Sequence, residues 1–264
     1  MKSFFRLICP PVLLILYKKI FLPKEFIRGF NDWKTALDNT TTYNAEEIFS
    51  KTLDSARKVR DGLATYERDS VLFDEIQYDW QLLASLLLIA KLESNRLNVA
   101  DYGGALGTSY RQNKEFLDML DCPVKWVVVE QSRFVQIGKS EFENEVLLFS
   151  DSLNQLNLDI DLVLLCGSIC YFEKPYNALD EILEVAPKFI VITRTPFSNL
   201  LEDSLSVQIA HPDVYNASYP VWTFSQENFK GYLSSSYELI EEWEDGLQAD
   251  EDAVAMGMLF RLKP

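Results

Sequence analysis

The stretch that decides the fold is residues 97–108, LNVADYGGALGT. An apolar run typical of a β-strand ends at Asp101, and a turn of the form D-x-G-x-A-x-G leads into a helical stretch. Glycine permits a tight turn and close approach of the backbone to a ligand, and the first N–H groups of a helix attract a carboxylate. A glycine turn that binds nothing is the alternative. The residues of the predicted ligand-binding turn are Gly103, Gly104, Ala105, Gly107 and, beside it, Ser109.

An acidic residue follows at the distance expected for a nucleoside site. Glu130 ends the next predicted strand, KWVVVEQ (125–131), and lies 23 residues after Gly107. At about this separation in nucleotide-binding βαβ units, a carboxylate meets the ribose hydroxyls. We therefore predict that Glu130, with Gln131 beside it, binds a ribose.

The sequence of the turn also distinguishes between two kinds of cofactor, a dinucleotide and S-adenosylmethionine. Dinucleotide folds use G-x-G-x-x-G, whereas position 105 holds Ala and the next glycine, Gly107, comes two residues later. A pyrophosphate would fit this turn poorly. Asp101, two residues before the first glycine, favours instead the positively charged methionine end of S-adenosylmethionine.

Short β-rich runs alternate with helical stretches throughout 97–194, which is typical of βαβ units and a parallel sheet. After a helix near 225–234, two further runs read as a terminal hairpin. The fold class predicted is therefore α/β: a Rossmann-like, seven-stranded, mostly parallel sheet with an antiparallel last strand. Several aromatic residues between these parts are expected in a loop: Tyr215, Tyr219, Trp222 and Phe224.

The sequence before the glycine turn predicts helices over 45–60 and from Phe73 to Glu93. The charged residues 67–69 form either the start of the second helix or part of a lid. Three regions follow: a basic amphipathic segment over 1–28, a helical cap region over 29–95 and the Rossmann-like domain over 96–264.

Charge and cysteine usage exclude several classes of function. The formal net charge of −15 disfavours nucleic acid as a partner. The four cysteines form no C-x-x-C pair and no cluster with the single histidine, so we expect neither a metal nor a disulfide framework, and a cytoplasmic location fits. The segment 1–28 is basic, and its apolar run is too short to span a bilayer, so we expect at most peripheral contact with the inner face of the plasma membrane.

Six blocks of the sequence resemble a bacterial family of class I methyltransferases associated with surface-polysaccharide gene clusters. These blocks are ERDSVLF (67–73), DYGGALGTSYRQN (101–113), WVVVEQ (126–131), SICYFEKPY (168–176), ITRTPF (192–197) and VYNASYPVW (214–222). The resemblance runs from about residue 29 to residue 262. It implies S-adenosylmethionine as cofactor and a saccharide or other envelope precursor as methyl acceptor.

Further candidates follow the later strands. Asp151 can accept a hydrogen bond from an adenine amine or cap the next turn, and Ser168 lies where acceptor and cofactor would meet. We name three catalytic candidates: Tyr171 beside Ser168, Arg194 and His211. Arg194 would hold an anionic acceptor or form a structural salt bridge. His211 would be a general base or an ordinary surface histidine.

The sequence thus predicts an S-adenosylmethionine-dependent methyltransferase acting on an oxygen of a saccharide or related precursor. Two alternatives stay open. One is a catalytically silent scaffold with the same fold, and the other is an NAD-dependent oxidoreductase or epimerase. Oligomeric state has no signal in the sequence.

Overall fold

The structure, a computed structural model, describes residues 26–40, 45–93, 96–210, 217–250 and 252–264. Most of the basic segment predicted over 1–28 and the candidate base His211 lie outside these ranges. Within them, no helix combines the length and the apolar character needed to cross a bilayer.

The chain before the glycine turn contains strands as well as helices. Its elements are β1 (Phe26–Phe30), α1 (Trp33–Asp38), α2 (Ala45–Arg60), β2 (Tyr66–Arg68), β3 (Val71–Phe73) and α3 (Trp80–Leu92). The helix predicted over 45–60 is confirmed, whereas the helix predicted from Phe73 begins at Trp80. Asp79 sets this start because it is the N-cap of α3 and its Oδ1 accepts a hydrogen bond from Leu82 N–H at 2.9 Å.

The charged residues ahead of α3 form a β-hairpin. β2 and β3 pair antiparallel, and the turn between them places Asp69 and Ser70 in the left-handed region, at φ 51° and 63°. Two consecutive left-handed residues are typical of a type I′ turn, whose twist matches that of paired strands. Residues 67–69 therefore belong to a hairpin and not to the start of a helix.

From residue 97 the predicted alternation of strands and helices is confirmed. The elements are β4 (Leu97–Tyr102), α4 (Thr108–Leu117), β5 (Val124–Val129), α5 (Ser132–Glu141), β6 (Leu147–Ser150), β7 (Leu162–Cys166), a 3₁₀ turn (Ile169–Tyr171), α6 (Pro175–Val185), β8 (Phe189–Ser198), β9 (Ser204–Ile209), β10 (Ser218–Ser225), α7 (Gln226–Leu233), β11 (Tyr237–Gln248) and β12 (Val254–Leu262).

Seven strands form the predicted sheet. Their order is β6-β5-β4-β7-β8-β12-β11, and β12 pairs antiparallel with both β8 and β11. The strands from β4 to β8 pair in parallel. The mostly parallel sheet with an antiparallel last strand is thus confirmed, and it agrees with the Rossmann-like fold that the family resemblance implies.

Three additional strands bring the sheet to ten among the described residues. β10 pairs in parallel with the end of β8, and β9 and then β1 follow in antiparallel pairing. The expectation of an aromatic loop is therefore wrong for Tyr219, Trp222 and Phe224, which lie in β10. The Trp222 ring stacks on Trp33 of α1 with ring centroids 6.4 Å apart.

Helices cover both faces of the sheet. One core joins α3, α4 and α5 to the sheet and includes the fully buried Trp126. The other core contains residues of α6 and α7, among them Leu179 and Phe229. α3 lies inside the cap region predicted over 29–95, yet Leu82, Leu86 and Ile89 make it a layer of the first core.

Candidate functional site

The predicted cofactor residues lie at the carboxyl ends of neighbouring parallel strands. Tyr102 is opposite Val129, and Val129 is opposite Ser150. Gly103, Glu130 and Asp151 each come one residue later, so they follow one another at the spacing of strands, about 4.8 Å. Backbone hydrogen bonds continue to this edge, from Gly103 N–H to Val129 O at 2.9 Å and from Glu130 N–H to Ser150 O at 3.0 Å.

The glycine turn is shaped by contacts within the protein. A Cβ atom at Gly103 would lie 2.5 Å from Ser168 Cβ, and one at Gly104 would lie 2.4 Å from Asp101 Cγ. Ser168 Oγ also donates a hydrogen bond to Tyr102 O at 2.6 Å. Ala105 is left-handed, at φ 51°, although it carries a side chain. The sequence attributed the glycines to a tight turn and to the approach of a ligand; the structure adds a third reason, because a side chain at position 103 or 104 would collide with Ser168 or Asp101.

The β2–β3 hairpin holds the turn from the other side. Glu67 is 3% exposed and accepts hydrogen bonds from Thr108 Oγ1 and, at 3.4 Å, from Arg111 Nη2. Arg111 Nη1 donates to the carbonyl of Leu106 within the turn at 2.6 Å. A buried ion pair thus connects the hairpin to the loop where we predicted the cofactor. Sequence reasoning assigned no role to Arg111.

Asp101 is a fully buried carboxylate beside this turn. Its Oδ2 accepts a hydrogen bond from Trp126 Nε1 at 3.0 Å, while its Oδ1 has no hydrogen-bond partner among the described residues. Burial and, to a smaller extent, the nearby charge of Glu130 raise the pKa of Asp101 to about 7, against the opposing effect of the Trp126 hydrogen bond. Glu130 is therefore close enough to affect the titration of Asp101.

Glu130 is half-buried and is held by the backbone. Burial raises its pKa, and hydrogen bonds from the N–H groups of Gln131 and Ala105 oppose that rise. The bond from Gln131 N–H to Glu130 Oε2 measures 2.6 Å. Gln131 and Asp151, in contrast, have exposed side chains, and Ser109 is buried at the start of α4. This site is therefore polar and partly open at the ends of β5 and β6.

A cavity of about 250 Å³ opens next to the turn. It lies beside the end of β7 and the middle of β8, and its walls are the hairpin, β11 and the starts of α3 and α4. Its lining residues are Tyr66, Arg68, Gln77, Tyr78, Asp79, Gln81, Thr108, Ser109, Gln112, Cys166, Arg194, Glu244, Asp245 and Gly246. Of the predicted site residues, Ser109 and Arg194 line it.

Arg194 occupies a strained position at this cavity. It is left-handed, at φ 54°, in β8, where the register against β12 shifts between Met256 and Met258. Its N–H donates to the Asp245 carboxylate, and its Nη2 lies 2.5 Å from Asp69 Oδ2 on the hairpin. Of the two roles predicted for Arg194, the salt bridge is present.

Two carboxylates of the cavity were missed in the sequence. Burial raises the pKa of Asp79, against the opposing effects of the Leu82 N–H bond and the positive charge of Arg194. Burial also raises the pKa of Asp245, whose oxygens accept from Arg194 N–H and from Trp243 Nε1. Asp79 had a sequence signal as a polar residue ahead of an apolar helix, but that signal predicts a cap and not a site.

The remaining catalytic candidates are placed differently. Tyr171 follows β7 in the 3₁₀ turn, is 41% exposed and donates a hydrogen bond from its hydroxyl to Gln208 Oε1 at 3.1 Å. Its ring meets Tyr219 edge-on at 5.3 Å. It thus lies beside β9 and β10 and not among the residues that line the cavity.

The sequence matches no protein-family model and no curated protein. Among solved structures, the chain is similar to the N-terminal domain of EvdMO1 crystallised in the presence of SAH and D-fucose, with TM-score 0.49 and 12% identity over 83% of this chain and 100% of that one. It is also similar to an S-adenosylmethionine-dependent methyltransferase from Clostridium acetobutylicum ATCC 824, with TM-score 0.47 and 10% identity over 82% and 99%. A third is the N-methyltransferase NodS from Bradyrhizobium japonicum WM9 in complex with S-adenosyl-L-homocysteine, with TM-score 0.45 and 13% identity over 81% and 99%. Similarity at this level carries no conclusion about the activity of this chain. Its activity is inferred from the residues of the site.

Proposed function

We propose that this chain is an S-adenosylmethionine-dependent methyltransferase. The observation that carries the proposal is the alignment of the glycine turn, Glu130 and Asp151 at one edge of the sheet, with the buried Asp101 carboxylate against Gly104. The spacing suits an extended nucleoside with a positive charge at one end. Three acidic groups along one edge would repel a pyrophosphate.

The residues present fit this cofactor. Asp101 Oδ1 is buried without a partner among the described residues, and a buried carboxylate in that state is costly unless a positive charge lies nearby. Gly107 is the N-cap of α4 and provides no side-chain cap bond, so the positive end of the helix suits the methionine carboxylate. Glu130 would accept bonds from the ribose hydroxyls, and Asp151 from the adenine amine.

The bound cofactor supplies an electrophilic methyl group. Transfer is an in-line displacement, so holding the acceptor close and in line contributes most of the acceleration. In this chain that task belongs to the walls of the cavity, which reach the turn through Ser109 and Thr108. A side chain must also take a proton when the acceptor is a hydroxyl.

We propose further that the acceptor is an oxygen of a saccharide or related envelope precursor, and that the protein acts in the cytoplasm. The family resemblance supports the first part, and the polar lining of the cavity agrees with it. The cysteine usage supports the second.

Isothermal titration calorimetry tests the cofactor assignment. The full chain should bind S-adenosylmethionine and S-adenosylhomocysteine and give no heat with NAD. Glu130→Ala should weaken binding by about tenfold or more, because it removes charged hydrogen bonds to the ribose. Glu145→Ala, an exposed residue on the loop before β6, is the matched control and should bind like the native chain. Binding of NAD, or an unchanged affinity in Glu130→Ala, would contradict the proposal.

A further inference from the structure

The walls of the cavity beside the glycine turn have an unusual chemistry. Apart from Gly246, every residue that lines it carries a hydroxyl, amide, carboxylate, guanidinium or thiol group. Ligand pockets are more often lined by apolar side chains with a few polar groups. A wholly apolar ligand would leave these polar groups without partners, which is costly. The walls suit a ligand that carries many hydrogen-bonding groups of its own.

The charge of the walls argues against an anionic ligand. Arg68 and Arg194 face three carboxylates, Asp79, Glu244 and Asp245. Arg194 is in addition paired with Asp69 at 2.5 Å. A phosphate or carboxylate would thus meet a wall with more negative than positive charge and would be repelled. The walls therefore exclude an anionic ligand.

One carboxylate of the cavity can accept further hydrogen bonds. Asp79 is half-buried at the start of α3, and a carboxylate has about four acceptor positions, of which Oδ1 uses one for Leu82 N–H. A ligand hydroxyl placed there would donate to a charged acceptor, which makes a stronger hydrogen bond than a neutral one.

We propose that this cavity is the binding site of the methyl acceptor, and that the acceptor group is a hydroxyl-rich unit without negative charge, about as large as one sugar ring. Its hydroxyls would donate to Asp79. The size follows from the volume, about 250 Å³, which is below the roughly 300–1,000 Å³ of pockets that hold drug-sized ligands. This inference rests on the proposed function, and it adds where the acceptor binds and what charge the acceptor has.

Saturation-transfer NMR on the full chain, with and without S-adenosylhomocysteine, tests the ligand class. The probes are the methyl glycosides of the common neutral hexoses and deoxyhexoses, their 1-phosphates, and p-cresol as an aromatic compound. At least one neutral glycoside should bind and should exceed its phosphate and p-cresol. The inference is overturned if none of the glycosides binds, or if a phosphate or p-cresol binds more tightly.

A pair of variants places the binding site. Asp79→Asn retains the cap of α3, because Asn caps a helix as well as Asp does. It should weaken glycoside binding by about tenfold, since a hydrogen bond to a charged group is replaced by one to a neutral group. Asp32→Asn is the control: Asp32 caps α1 in the same way, with a 2.8 Å bond from Thr35 N–H, and does not line the cavity. Equal binding by the two variants would overturn the location.

Calorimetry with S-adenosylhomocysteine separates the two proposals. Nucleoside binding without any glycoside binding would overturn this inference and leave the proposed function standing. Glycoside binding that depends on Asp79, without nucleoside binding, would contradict the methyltransferase and retain the cavity as a sugar site.

Discussion

At the scale of single residues, Asp101 links the stability of the chain to pH. Its pKa rises from an ordinary value of 3.8 to about 7 in the folded chain, so the folded state holds this proton more tightly than the unfolded state. The contribution of Asp101 to the free energy of unfolding is therefore fully present below about pH 4. It decreases as the pH rises and reaches its lowest value above about pH 7. The full cost of the ionised carboxylate is about 4 kcal/mol.

Asp101→Asn should therefore stabilise the ligand-free chain at high pH. The Asn carbonyl can still accept the bond from Trp126 Nε1, while the buried charge is removed. We expect the gain in the free energy of unfolding to grow by about 2 kcal/mol between pH 5.5 and pH 8. Urea unfolding at both pH values measures it. A gain that is the same at both would show that Asp101 is ionised throughout.

The same carboxylate should make cofactor binding depend on pH. A cationic ligand near Asp101 favours its ionised form, and with a pKa of about 7 that form rises from a minor to the major population between pH 6 and pH 8. The affinity for S-adenosylmethionine should increase about tenfold over this range. Calorimetry on the native chain and on Asp101→Asn checks this, because the variant should lose the increase that the native chain shows.

At the scale of elements, the β2–β3 hairpin is held to the glycine turn by a buried ion pair. Glu67→Gln would leave the Arg111 guanidinium, which burial already disfavours, without its carboxylate. We expect a loss of about 3 kcal/mol in the free energy of unfolding, measured by urea titration.

The control for this variant is Glu141→Gln. Glu141 pairs with Arg57 and Arg60, whose side chains are 44% and 36% exposed. Solvent screens such pairs, so the loss should be much smaller than that of Glu67→Gln. Comparable losses in the two variants would show that the Glu67–Arg111 pair contributes no more to stability than an exposed ion pair.

Elements with a regular apolar period could be predicted from the sequence, and elements defined by their partners could not. The helix over 45–60 agrees with the structure because it has a clear apolar face and recognisable ends. β9 and β10 were missed, and in β10 the sequence SYPVWTFS mixes polar, aromatic and proline residues, which is not typical of a strand inside a sheet. The hairpin was missed because its strands have three residues each.

The candidate site also has a part that could be predicted from the sequence and a part that could not. Local spacing placed Gly103, Glu130 and Asp151 at one edge of the sheet, since parallel strands bring their ends together. The cavity combines residues as distant as Tyr66 and Asp245. Pairs such as Asp69 with Arg194 depend on how the hairpin packs against β8, and no local pattern predicts that.

At the scale of the whole molecule, charge is divided between a basic start and an acidic remainder. Residues 1–28 carry six Lys and Arg against one Glu in a chain with a net charge of −15. We expect the full chain to sediment with vesicles that contain phosphatidylglycerol and not with neutral ones. Replacing Lys18 and Lys19 by Gln should weaken binding about 30-fold, at about 1 kcal/mol per lysine.

The matched control replaces two exposed lysines of the α/β domain, Lys139 and Lys174. This double variant should sediment like the native chain. Equal loss in both double variants would indicate attraction to overall charge and not to the segment 1–28.

Arg194 is a poor position to substitute when the aim is to change which ligand the cavity binds. Its backbone is tied to Asp245 on β11 and its guanidinium to Asp69 on the hairpin, so one position joins three parts of the chain. Random libraries that include it should yield mostly misfolded clones. Diversity is better directed to Gln77 and Gln81, which line the same cavity from a loop and from an exposed face of α3.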